Sequence, residues 1–406
     1  MRSWAYPRII RAVRFDLLTS GAGARSGRFV LAALALMSVA PLLASPPAFA
    51  HGVGMSQLSL QISGRELEGK WEINLRDARW AIGLDPSVSG DPGWLDLRSN
   101  EIRLREYVAR RLTLAADSGA CAVTLAPAPM EWQPEMSQVV LRLSARCPSP
   151  PDHLTLRCDM LFDVDPTHRA YFSIEDETVT SVGVFRNDLR SVTIDVHQFH
   201  FWETVGGFVR EGIWHIWSGL DHICFLLALL LPSPLTRSGR EWKPRGGFWP
   251  TWREVLKVVT SFTLAHTLTL CLSFFGVIRL RSQWVEVAIA LSVFAAAWNN
   301  LHPFLPGRAW LMALTFGLVH GMGFAGALNN LALPRHARGL ALGSFNLGVE
   351  IGQLVVVAAV LPLLFFASRQ KWYARVVMGA GSLGIAWLAA VWVIERAFGL
   401  QLFSGR

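Results

Sequence analysis

The chain has 406 residues, of which 52% are hydrophobic and 17% charged, against about 25% charged in an ordinary soluble domain. Such a composition excludes a disordered chain, a collagen or a small disulfide scaffold, and it argues against a soluble enzyme. The net charge of +8 would suit a nucleic-acid binder, but it is unevenly divided: residues 1–50 hold 6 Arg and 1 Asp, residues 51–200 hold 15 Lys and Arg against 21 Asp and Glu, and residues 201–406 hold 17 against 8. The basic excess belongs to a leader and an apolar half, a distribution that argues against a nucleic-acid partner.

Residues 1–50 read as a signal peptide. A basic stretch from Arg2 to Arg28 precedes an apolar run from Phe29 to Leu43, Pro46 and Pro47 break it, and Ala48-Phe49-Ala50 has the small-x-small form of a cleavage site. The alternative is an uncleaved anchor, although the run is short of the ~20 residues that span a bilayer. Cleavage would leave His51 first, with a free amine and an imidazole able to chelate one ion together, or simply a frayed terminus.

Residues 51–200 alternate in short runs such as Leu58-Ser-Leu60-Gln-Ile62, Val139 to Leu143 and Val192-Thr-Ile194, separated by Gly, Pro, Asp and Asn. The pattern predicts an exported antiparallel β-sandwich. Cys121, Cys147 and Cys158 fall here, in an oxidising compartment. Cys121 and Cys147 end neighbouring strand candidates and are the favoured disulfide, with the two pairings to Cys158 open. Asp163, Asp165 and His168 could gather a metal, but Asp165-Pro-Thr-His168 more often makes a turn. His197 and His200, beside Glu203, would share one face if helical and could hand a metal on; a polar interfacial face is the plainer reading.

Residues 201–406 contain six long apolar stretches: Gly206–Leu231, Val255–Val277, Trp284–Leu305, Trp310–Leu328, Leu340–Phe366 and Val376–Phe398. Each approaches the length of a membrane-crossing helix. With the middle domain outside, nine Lys and Arg fall in the inner loops and Arg279, Arg281, Arg335 and Arg338 in the outer ones, as the positive-inside rule requires. The chain is therefore expected to be a multi-pass protein of a bacterial cytoplasmic membrane, an all-α six-helix bundle in lipid behind a periplasmic domain.

Ionisable groups inside such spans are costly and usually serve a function. The first span carries His215, Gly219, Asp221 and His222; the second His266; the third Glu286 and Asn300; the fourth His320; the fifth Asn346, Glu350 and Gln353 on one face. Imidazole and carboxylate donors suit a borderline divalent ion such as Ni²⁺, Co²⁺, Zn²⁺ or Cu²⁺. A purely structural hydrogen-bonded bundle is the alternative. Seven residues of straight helix would separate His215 from His222 by about 10 Å, placing His215 at an entrance and His222, Asp221, His266 and His320 at a central site, unless Gly219 breaks the helix. A short echo, Phe262-x-Leu-x-His266 with Glu286 against Phe316-x-Leu-x-His320 with Glu350, fits either a repeat of two spans or coincidence between Leu/Val/Phe-rich helices.

These residues resemble a known family. His215-x-x-x-Gly219-x-Asp221-His222, Thr260-Ser-Phe-Thr-Leu-Ala-His266-Thr-Leu-Thr-Leu270, Phe316-Gly-Leu-Val-His320-Gly-Met-Gly-Phe324 and Phe345-Asn-Leu-Gly-Val-Glu350-Ile-Gly-Gln353 are similar to the HupE/UreJ family, over about residues 200–395. The resemblance implies a membrane protein linked to hydrogenase or urease maturation and a nickel or wider divalent-metal permease, with the ion as substrate, metalloenzyme maturation systems as partners and no catalysis. Residues 51–200 look like the large exported domain of one branch of that family. An intramembrane metalloenzyme, and an assembly factor that moves no ion, are the competing readings. No Gly-x-x-x-x-Gly-Lys-[Ser/Thr] loop is present in the chain to supply ATP drive.

Overall fold

The computed structural model describes residues 54–125, 130–134, 137–176, 179–238, 241–278, 280, 282–305, 308–329 and 335–398. The expected signal peptide, its cleavage site and His51 lie outside the described residues.

Strand alternation is realised directly. In β1 (Met55–Ser63) Leu58, Leu60 and Ile62 point inward, in β2 (Glu66–Asn74) Leu67, Trp71 and Ile73, and in β7 (Gln138–Arg146) Val139, Leu141, Leu143 and Ala145. These belong to a seven-stranded sheet ordered β10–β9–β1–β2–β7–β5, with β6 (Glu131–Gln133) also pairing β7. Its other members are β5 (Ala122–Leu125), β9 (Arg169–Glu175) and β10 (Thr180–Phe185). A second sheet runs β11–β8–β3–β4, from β3 (Leu112–Ala116), β4 (Gly119–Ala120), β8 (His153–Cys158) and β11 (Ser191–Asp195). Leu112, Leu114, Leu154 and Leu156 of this sheet share one core with the first.

Two features depart from a wholly antiparallel sheet pair. β1 and β9 run parallel, which requires a long crossover rather than a hairpin. Three helices also interrupt the strands: α1 (Leu75–Ala81), α2 (Gly90–Ser99) and α3 (Glu101–Arg111). On α3 the buried residues Leu104, Tyr107 and Val108 recur at i, i+3 and i+4, a helical and not a strand period. Asn74 caps α1 by accepting from the Arg76 amide at 3.0 Å. Cys121 and Cys147 form the disulfide, continuing the β5–β7 ladder one step beyond the Ala122–Arg146 pair. Cys158 is free and buried, and burial pushes its thiol up to about 12.

The second half is helical: α4 (Phe201–Ser218), α5 (Leu220–Leu230), α6 (Phe248–Phe274), α7 (Ser282–Leu301), α8 (Ala309–Asn329), α9 (Arg335–Ala367), and α10 (Gly381–Phe398) entered through a π-helical turn at Ala374–Ala380. A hairpin of β12 (Leu235–Ser238) and β13 (Glu241–Pro244) joins α5 to α6. Among the described residues four helices are long and apolar enough to cross a membrane, and five if α4 and α5, bent by 71°, count as one broken span. The described apolar part of α8, Ala309–Gly323, is shorter. This is a multi-pass membrane protein. Asn300 ties three helices together, its amide donating to Ala228 O at 2.7 Å and Ser382 Oγ at 3.0 Å.

The two halves pack on each other. Tyr171, Val182 and Val184 of β9 and β10 form one apolar cluster with Phe208, Ile216, Phe345 and Val349 of α4 and α9. Beside it Glu211 of α4, 4% exposed, accepts from Arg169 at 3.0 Å and from Arg186 at 3.3 Å. Both arginines come from the β-rich domain and both are buried.

Candidate metal centre

The centre begins at a helix break. Gly219 closes α4 and opens α5 with extended backbone, φ −81° and ψ 100°. A Cβ there would fall on His222 Nδ1 and within 3.1 Å of Asp221 Oδ1, so only glycine leaves the imidazole its place. The bend of 71° turns α5 off the line of α4, and the His215 and His222 rings stand 4.6 Å apart. The separation of about 10 Å belongs to a straight helix; the break at Gly219, the exception allowed for in the sequence, brings the two rings together and removes the ground for dividing them into entrance and central histidines.

Around that pair the structure assembles a nest of rings. His320 of α8 lies 5.3 Å from His222, and Phe225 and Phe262 lie 5.3 and 5.2 Å from His320. His266 of α6 stacks on Phe262 at 5.9 Å. Close helix contact makes this possible. Side chains at Gly212 and Gly348 would strike the facing backbones of α9 and α4, and one at Gly321 would strike His266 O; small residues of this kind let membrane helices touch.

Hydrogen bonds fix two of the imidazoles. His320 Nδ1 lies 2.9 Å from Phe316 O, and a carbonyl only accepts, so Nδ1 carries the proton. His266 Nδ1 donates to Asn346 Oδ1 at 3.2 Å, and Asn346 Nδ2 in turn donates to Leu342 O at 3.0 Å. In both rings Nε2 is therefore the lone-pair nitrogen, buried and without a hydrogen-bond partner among the described residues. Metal-ligating histidines are commonly oriented in this way. His222 Nδ1 lies 3.1 Å from Asp221 Oδ1 but is not aligned for a hydrogen bond; Oδ1 accepts from the His222 amide at 2.9 Å instead. Asp221 Oδ2 meets Arg396 of α10 at 3.4 Å. Among the described residues no three His, Cys, Asp or Glu donors already stand in ligating geometry.

The remaining candidates divide. Asn346 supports His266, and Gln353, two turns on, accepts from Thr263 at 3.2 Å. Glu350 lies between them in sequence on α9 and is half-buried. Glu286 is half-buried on α7, its carbonyl accepting from Arg396 at 3.0 Å. His197 and His200 do not share a helical face, because α4 starts only at Phe201. His197 lies 3.3 Å from Asp152, and His200 3.9 Å from Glu203. Asp163 leaves the suggested trio with Asp165 and His168 to pair with Arg111 at 2.5 Å. Arg396 and the Glu211 triad escape a motif reading; a lone arginine beside Glu395 in the apolar run Gly381–Phe398 was the available sign of the former.

No curated protein matches the chain. The model of the family described as HupE / UreJ protein matches residues 191–396, which takes in the broken helix, both anchored histidines and Arg396, and the chain belongs to the HupE/UreJ family.

Proposed function

We propose that the protein is a secondary permease for a divalent transition-metal ion, of the nickel type, in a bacterial cytoplasmic membrane. On this reading α4 with α5, and α8, complete six crossings, and the β-rich domain faces outward. The observation that carries it is the pair His266 and His320, each held through Nδ1 with Nε2 unpartnered, beside the paired rings of His215 and His222. Neutral imidazoles with one carboxylate favour Ni²⁺, Co²⁺ or Zn²⁺ over a hard ion such as Ca²⁺. Buried lone pairs without partners are costly, and a passing cation supplies what they lack.

The donors suit carriage more than retention. Arg396 already engages Asp221, so the carboxylate is shared between a resident cation and the substrate, which weakens the hold on the latter. A broken span with unwound backbone at mid-bundle is a recurrent transporter device. His215 and His222 act together, and His320 and then His266 follow across Phe262. Membership of the HupE/UreJ family supports metal handling, and supply to metalloenzyme maturation is the pathway we propose. The protein acts as a carrier and not as an enzyme.

Proteoliposomes loaded with the full chain should accumulate radioactive Ni²⁺, with Co²⁺, Zn²⁺ and Cu²⁺ as competitors. His215→Ala and His222→Ala should abolish uptake alike, since the rings adjoin. The reading falls if wild-type vesicles take up none of these ions above protein-free vesicles, or if both variants transport normally.

A further inference from the structure

The β-rich domain holds a second group of donors, far from the membrane histidines in sequence. Gly54 opens β1, and its carbonyl accepts from the Arg169 amide at 2.9 Å. In the direction a Cβ at Gly54 would point stand Asp165 Oδ2 and His168 Nδ1, each 2.9 Å from that position, and Asp77 Oδ2 at 3.0 Å. Two chain segments thus aim two carboxylate oxygens and one ring nitrogen into a single cradle beside a third, Gly54, kept open by the absence of a side chain.

Each donor is already oriented by its other atom. Asp165 Oδ1 accepts from the Thr167 amide at 2.8 Å and hydroxyl at 2.6 Å, which turns Oδ2 toward the cradle. Asp77 Oδ1 accepts from Arg76 Nε at 3.1 Å, again freeing Oδ2. His168 is fully buried, its Nε2 lies 2.9 Å from Ser56 Oγ, and its Nδ1 has no hydrogen-bond partner among the described residues. In the tautomer that donates from Nε2 to Ser56 Oγ, Nδ1 presents a lone pair to the cradle.

Two carboxyl groups thus face an orphaned ring nitrogen, with one arginine on the outer oxygen of Asp77. We infer that Asp77, Asp165 and His168, around Gly54, form a divalent transition-metal site in the β-rich domain, separate from the membrane centre. The donor set, one imidazole and two carboxylates, matches Zn²⁺, Co²⁺ or Ni²⁺. The donors surround the cradle without yet meeting at bonding distance, so loading draws the side chains inward. The next residue after His168 is Arg169, which bonds Glu211 on α4, one turn before His215. An ion at the cradle therefore sits at the start of the strand that docks the domain against the broken helix.

Co²⁺ is the probe, titrated into full-length protein in detergent and followed by equilibrium dialysis and by its visible absorption. His222→Ala removes the membrane centre as a competitor. That variant should still bind one Co²⁺ per chain. Adding Asp165→Asn, which keeps the Oδ1 bonds to Thr167, should weaken that site at least about 10-fold, the order seen when metal-site support is lost. Asp163→Asn, outside the cradle, should leave it unchanged. Equal thermal midpoints for the Asn variants without Co²⁺ show that folding is preserved. The inference is overturned if Asp165→Asn binds Co²⁺ as its parent does, or if His222→Ala alone removes all Co²⁺. Loss of transport with the cradle intact would fall on the permease reading and leave this one standing.

Discussion

Glu211 and His215 occupy one face of α4, a single turn apart, and their surroundings differ in kind. Glu211 is buried and saturated: Arg169 takes one carboxylate oxygen and Arg186 the other. Around His215 the polar groups are equally buried but unsaturated, with Nε2 of His266 and of His320 lacking partners among the described residues. The first cluster fastens the β-rich domain to the helices, since both arginines come from that domain. The second fastens little and keeps lone pairs in reserve. Buried polar groups that complete their bonds specify structure, whereas groups held in position but left incomplete point to a ligand.

The comparison can be broken first at the saturated cluster. Glu211→Ala leaves two buried guanidinium groups with no carboxylate between them, and removing one partner of a buried pair typically costs 3–5 kcal/mol. The thermal midpoint of the purified protein should fall sharply, and a midpoint within a degree or two of wild type would show that the triad is not the fastening. A smaller effect is expected at the unsaturated cluster. Asn346→Leu removes the acceptor that fixes the His266 tautomer, so Nε2 is no longer reserved for an ion. Metal affinity should weaken by about 10–100-fold, read as a shift in half-saturating Ni²⁺ for uptake. Unchanged affinity would mean that Asn346 does not orient the ring.

The sequence reached these two clusters unequally. Histidine spacing marked the second, because His215, Gly219 and His222 repeat at helical intervals and intramembrane ionisable groups are rare. It left the geometry open, because spacing rules assume a continuous helix and only the structure shows that Gly219 interrupts this one. The first cluster was illegible: Arg169 and Arg186 lie 42 and 25 residues from Glu211, and no local period links a strand to a later helix. The same holds in the β-rich domain. Alternation located β1, β2 and β7, and neighbouring strand ends gave Cys121–Cys147, but the parallel β1–β9 pair joins residues more than a hundred positions apart. Asp77, on a helix that strand patterning did not foresee, reaches Asp165 and His168 only through that pairing.

The smallest expected effect on stability tests the comparison most directly. His320 is 2% exposed and ringed by His222, Phe225 and Phe262. Its one side-chain hydrogen bond among the described residues goes to Phe316 O, a carbonyl four residues back that the helical amide of residue 320 can also use. His320→Leu therefore strands no partner, fills much of the same space, and removes a buried nitrogen that has no bond to lose. Replacing buried polar groups with apolar ones of similar shape is often neutral or stabilising. The thermal midpoint should stay level or rise while Ni²⁺ uptake is lost, the opposite of Glu211→Ala, which lowers the midpoint first. If His320→Leu destabilises the protein by about 3 kcal/mol or more, as loss of a completed buried network would, His320 belongs with the structural cluster and the distinction between the two clusters collapses.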